Sequence, residues 1–290
     1  MKNLLIHILS IIFQGIETLL CRLRIKRPVV VVFMDGGICS QMLMYIQGRY
    51  YAKKGLDVYY DTLWYQTYGK DADGLMPRFL EFSEMWSGLE FKSLSKCQRK
   101  WYLLFFKAQR TNGELLPKPE SLTHSIYLDG WWDLPNEDNS RMFPQYFNIN
   151  SSATPTNCKD QSFENVVGIH VRRGDLAKGD NPIYGGVTDG YFLRAIEFCN
   201  EKFHPKKYIF FSDEPDWVEQ NICNQLEQPY EIMRGNKAWE DLWYLAQCPV
   251  IVASQGSFGT VAAKLNPGAV LIQCDNEHAN RERKNTYFIK

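Results

Sequence analysis

The run Val166-Val167-Gly168-Ile169-His170-Val171-Arg172-Arg173-Gly174-Asp175 passes from apolar, mostly β-branched residues into a histidine, two adjacent arginines and an aspartate. The first part has the character of a buried strand. In an open α/β sheet, ligands gather at the carboxyl ends of strands. Two guanidiniums there suit an anion, because each planar fork meets phosphate oxygens in pairs. A departing diphosphate would need that charge. A surface loop carrying weak Arg–Asp pairs could contain the same residues, but two later runs weigh against it. Tyr208 to Phe211 opens into Ser212-Asp213-Glu214-Pro215, and Val250 to Ala253 leads to Gly256 and Ser257. If these strands are parallel neighbours, His170, Arg172, Arg173, Asp213, Gly256 and Ser257 line one edge. A carboxylate such as Asp213 can accept from the N1–H and exocyclic amine of guanine. Ser257, at a helix start, offers an anion-binding N–H. Together these groups describe a nucleotide-diphosphate pocket. Asp35-Gly36-Gly37 follows another apolar run, with a glycine pair where the backbone must come close to something. It is not the GxGxxG fingerprint, and no Walker loop is present.

The elements that must hold these residues alternate strand and helix. Pro28 ends an N-terminal helix; Val29 to Phe33 reads as a buried strand, Ser40 to Lys54 as a helix, and Leu56 to Asp61 as a second strand. A less regular region, roughly 62–125, suggests helices near 77–86 and 96–108, with a strand from Ser125 to Leu128. The polar stretch 148–164 is the best linker. The second half predicts strands at 166–171, 208–211, 230–233 and 250–253, with helices at 190–203, 215–226, 238–248 and from Ser257. Val270 to Ile272 is expected to close the sheet. The expectation is an α/β protein of two Rossmann-like domains facing a cleft, 28–150 and 151–290, preceded by the helix of residues 1–27.

Composition narrows the function. Lys plus Arg and Asp plus Glu number 33 each, so the chain lacks the basic excess of a general nucleic-acid binder. Its eight cysteines contain no CxxC pair and its five histidines are scattered, unlike structural zinc sites; no metal is expected. Cysteines set in apolar runs fit a reducing compartment, hence the cytoplasm. In the first 27 residues, Leu4, Leu5, Ile8, Ile11, Ile12, Ile16, Leu19 and Leu20 follow helical spacing, and Arg22, Arg24, Lys26 and Arg27 close the segment. The uncharged part from Asn3 to Ile16 is shorter than the ~20 residues a spanning helix needs, and no secretory cleavage site stands out. Two readings stay open: a peripheral membrane helix with basic anchors, or a helix packed on the body.

Over roughly residues 30–272 the sequence resembles glycosyltransferase family 11, the α-1,2-fucosyltransferases. Asp35 to Met42 resembles the family's GGLGNQM loop, departing from it at Ile38-Cys39-Ser40. His170 to Asp175 matches its HxRRGD motif. Gly186-Val187 through Tyr191 and Phe211 to Pro215 resemble its following segments. Gly256-Ser257-Phe258-Gly259, with Ala262, Ala263 and Leu265, resembles its C-terminal motif, with Val261 where an aromatic is common. The resemblance implies a GT-B fold, no required metal, and inverting transfer from GDP-β-L-fucose to a galactose-terminated acceptor. It implies Arg172 and Arg173 at the β-phosphate, His170 and Asp213 at guanine, and Ser257 at phosphate, with Gly256, Phe258, Gly36 and Gly37 in the donor loops. Asp175 would serve the arginine pair or act as base, a role open also to Asp180 and Asp35. The alternatives are another linkage, another sugar nucleotide, or a non-catalytic binding module on the same scaffold.

Overall fold

The computed structural model describes residues 2–67, 69, 77–156, 158, 162–174, 189–275, 279, 281 and 283–290. The chain forms two compact units. The first comprises Met1–Gly69, Arg78–Leu80 and Gly88–Tyr146; the second includes Glu81–Ser87 and Phe147–Lys290.

The first unit is built on β1 (Val29–Phe33), β2 (Asp57–Asp61), β3 (Lys107–Leu115) and β4 (Ile126–Asp133). They pair in parallel in the order β2-β1-β4-β3. The valine run of β1 is central and buried, as a strand covered on both faces requires. Around the sheet stand α1 (Lys2–Arg22), α2 (Ile38–Ala52), α3 (Leu63–Thr67), α5 (Lys96–Phe105) and α6 (Asn136–Tyr146). Two expectations need correcting. The helix expected at 77–86 is only α4, Phe82–Met85. The helix expected at 96–108 stops at Phe105, and β3 follows. Its Gln109-Arg110-Thr111-Asn112 segment has no apolar alternation to announce a strand, and it is the parallel register with β4 that makes it one. Residues 136–146 form a helix despite Pro144.

Residues 81–87 group with the second unit for a local reason. The Glu81 carboxylate accepts from the Trp239 N–H at 2.9 Å, capping α9 (Ala238–Gln247), and Lys237 reaches Glu84 at 2.5 Å.

The second unit carries β5 (Val166–Val171), β6 (Lys207–Ser212), β7 (Tyr230–Ile232), β8 (Val250–Ala253), β9 (Val270–Cys274) and β10 (Thr286–Ile289). Every pairing among them is parallel, in the order β10-β9-β8-β5-β6-β7. Contrary to the expectation from the sequence, β9 does not close the sheet; β10 pairs beyond it. The helices are α7 (Asp189–Phe203), α8 (Pro215–Asn221), α9 and α10 (Ser257–Leu265). The core joins Val167, Ile169, Phe192, Ile196, Phe210 and Val252. Successive strands run outward from β5 in one direction (β6, β7), then outward from β8 in the other (β9, β10). This is the doubly wound order, and its switch point lies between β5 and β8.

Candidate active site

Parallel register brings three strand ends level. His170 stands opposite Phe211 of β6 and Ala253 of β8. The residues just beyond, Arg172, Asp213 and Ser254, therefore emerge together at the switch point.

His170 is buried, at 8% exposure, and stacks on Phe258 with ring centroids 4.8 Å apart. Its Nδ1 shares a 3.0 Å hydrogen bond with the Ser254 hydroxyl, and Ser254 N–H donates to His170 O at 3.0 Å. Burial, aided by the Arg172 charge, pushes the imidazole pKa down to about 3. His170 is thus neutral near neutral pH. It can exchange hydrogen bonds with a ligand but carries no charge to an anion.

Arg172 N–H donates to Ser254 Oγ at 3.1 Å, and its Nη1 lies 3.1 Å from Asp213 Oδ2. Asp213 Oδ1 accepts from Arg173 N–H at 2.9 Å. The Oδ2 ion pair lies off hydrogen-bonding geometry, so this buried oxygen has no hydrogen bond among the described residues. Burial raises the Asp213 pKa, against the lowering effect of the Arg173 N–H and the Arg172 charge. Gly174 is required here, since a Cβ on it would come within 2.7 Å of Asp213 Oδ2.

The second arginine is placed differently. Arg173 lies over the Trp217 ring, 3.6 Å from its centroid, and its Nε donates to Glu214 Oε2 at 3.1 Å. It clamps the β6–α8 connection that carries Asp213. Gly256 adopts φ +98° ahead of α10, a region L side chains avoid. Exposed Ser257 then opens the helix, and Gly256 at the N-cap offers no side chain to its first amides.

The structure therefore brings His170, Arg172, Asp213, Gly256, Ser257 and Phe258 to one sheet edge, with Arg173 at its flank. Gly36 and Gly37 stand in the first unit, between β1 and α2, where Gly36 O accepts from Tyr65 OH at 3.2 Å and Gln41 Nε2 at 3.3 Å. Asp175, Asp180 and Gly186-Val187 lie outside the described residues. Ser254 is the residue that sequence reasoning missed. Its signal was its place at the tip of a strand, but its link to His170 needs β8 beside β5. Among the described residues, no group of three His, Cys, Asp or Glu side chains could hold a metal ion.

Comparison with known proteins gives relatives in sequence and in fold. An Escherichia coli α-1,2-colitosyltransferase is 23% identical over 182 residues, covering 58% of this chain and 58% of its own. The Bos taurus galactoside 2-α-L-fucosyltransferase SEC1 is 29% identical over 109 residues, 36% of this chain and 30% of its own. The match thus spans little more than half of the first relative and under a third of the second. Among solved structures, the fucosyltransferase NodZ from Bradyrhizobium superposes with a TM-score of 0.53 at 15% identity, over 88% of this chain and 97% of that one. That likeness identifies the fold as the GT-B type. The model of glycosyl transferase family 11 matches residues 145–290, half of the chain and the whole of the β5–β10 sheet, and the chain belongs to that family.

Proposed function

We propose that the protein is an inverting fucosyltransferase that moves L-fucose from GDP-β-L-fucose to a galactose-terminated glycan, forming an α-1,2 linkage. The observation that carries this reading is the switch-point cluster, where an arginine fork and a buried carboxylate oxygen without a hydrogen bond stand beside an uncapped helix start. Arg172 meets the β-phosphate and stabilises charge as fucose departs. The Ser257 end of α10 receives phosphate oxygens. Asp213 Oδ2 accepts from guanine, and His170, neutral and stacked on Phe258, lines the nucleoside side. Arg173 acts through the loop it clamps. Proton removal from the acceptor hydroxyl falls to Asp175, with Asp35 and Asp180 as the other carboxylates to test. Arg172 and the first amides of α10, not a metal, neutralise the diphosphate. The protein works on the cytoplasmic side, touching the membrane through α1.

Incubation with GDP-fucose should release GDP only when a galactoside is present, with the product bond at O2 of galactose. Release without transfer, or a bond elsewhere, overturns the reading. Excess chelator should leave turnover unchanged; loss restored by Mg²⁺ or Mn²⁺ would refute metal independence. Asp213→Ala should weaken GDP more than UDP or ADP, and equal losses would remove its role at guanine. The colitosyltransferase relative favours a second reading, transfer of a different deoxy sugar on the same nucleotide. Comparing kcat/KM for GDP-fucose with that for other GDP-linked deoxyhexoses decides between them.

A further inference from the structure

The helix α1 is packed inside out. Ser10, Gln14 and Glu17 share one side at helical spacing, and that polar side faces the first unit. Ser10 Oγ donates to Leu104 O at 2.6 Å. Glu17, only 3% exposed, accepts from Ser125 N–H at 3.2 Å, from the Ser125 hydroxyl, and from Lys26 Nζ at 2.8 Å. The opposite side, with Leu5, Ile8, Ile12 and Leu19, is 45–59% exposed. Beside it, Phe13 packs on Trp101 and Phe105 of α5 at 5.5 and 4.6 Å, and Trp101 and Leu104 are themselves 49% and 44% exposed. A soluble helix turns its apolar stripe to the core. Here the stripe faces away and continues onto a second helix.

We propose that α1 and α5 together form a face that lies in the plane of an anionic lipid surface, with Trp101 at the headgroup boundary. Charge selects this occupant. Arg22 ends α1, Arg24 follows two residues on, and Lys96 and Lys100 lie on α5, all exposed, while the one acid of residues 1–27 is the buried Glu17. Apolar area with a cationic border is how interfacial helices bind. By length and composition Leu4–Arg22 could cross a membrane, which corrects the expectation of too short a run. Crossing, however, would tear Glu17 from Ser125. The inference rests on the reading that α1 meets a membrane and is independent of the donor chemistry.

The full chain is floated with phosphatidylcholine vesicles with and without phosphatidylglycerol. Binding should require the anionic lipid, reverse in high salt, and weaken about fivefold for each of Arg22→Gln and Arg24→Gln. Ile8→Asp with Ile12→Asp should abolish binding while the urea midpoint and transfer to a soluble galactoside stay unchanged. Brominated lipid should quench wild-type fluorescence more than that of Trp101→Phe. No vesicle binding overturns the membrane reading itself, and a lipid-free dimer broken by the Asp pair would assign the face to a second copy. Binding with equal quenching of both proteins overturns the two-helix face alone, as does binding that survives salt and alkaline carbonate, the signature of a spanning helix. Loss of transfer with binding intact would strike the proposed function and leave this face standing.

Discussion

A buried aspartate marks the carboxyl edge of each sheet, and the two are partnered differently. In the first unit Asp61 ends β2 at 0% exposure, and it accepts from Arg99 Nε at 2.5 Å, Tyr127 OH at 2.5 Å and Leu63 N–H at 3.1 Å. In the second, Asp213 lies one residue beyond β6, with Oδ1 bonded to the Arg173 amide and Oδ2 paired off-angle with Arg172. A carboxylate whose lone pairs are filled by the fold holds the fold together. One left partly unsatisfied beside an arginine keeps capacity for a ligand. The first arrangement is expected to govern stability and the second turnover.

The largest expected effect breaks the closed network. Arg99→Met leaves Asp61 buried without its cation and should cost about 3–5 kcal/mol of unfolding free energy, measured by urea denaturation, with GDP affinity unchanged in the folded protein. If GDP affinity fell instead, Asp61 would belong with the ligand groups.

Next comes the open network. Arg172→Lys keeps a charge beside Asp213 but loses the fork. Turnover should drop by about 10²–10³ at an unchanged urea midpoint. Wild-type kcat would remove Arg172 from the chemistry.

A smaller effect concerns pH. The His170 pKa is depressed in the folded state to about 3, below its unfolded value of 6.5. The unfolded chain therefore takes up the proton first as pH falls. The contribution is complete above pH ~6.5 and is lost progressively below it, at up to about 1.4 kcal/mol per pH unit. Urea midpoints at pH 7 and 5 should diverge more in the wild type than in His170→Gln. Equal divergence would mean that His170 does not set this dependence.

The smallest effect separates the two arginines. Arg173→Lys loses its stack on Trp217, an interaction worth about 0.5–2 kcal/mol. It should raise KM for the donor severalfold with kcat nearly retained, and Trp217→Leu should reproduce that pattern. A fall in kcat as deep as that of Arg172→Lys would place Arg173 at the phosphate instead.

Much of this was legible without coordinates. The apolar runs of β1, β5, β6 and β8 announce themselves as buried parallel strands, and the groups at their ends were read as a set. The polar β3 was not legible, because an edge strand in parallel register needs no apolar alternation. Ser254 was missed for a similar reason, since its neighbour His170 is 84 positions away and the two meet only through β5–β8 pairing.

Residue types and their local periods determined the alternation of strand and helix, the strand-end motif, and the existence of two unlike sides on α1. Tertiary structure decided what each side meets. Two adjacent arginines leave a strand end in different directions, so Arg172 turns to Asp213 and Arg173 to Trp217. Helical spacing sorts residues onto opposite sides without saying which side faces the body. In α1, the hydrogen-bonding needs of Glu17 and Ser125 settled that choice, because a buried carboxylate must find donors while an exposed isoleucine need find nothing.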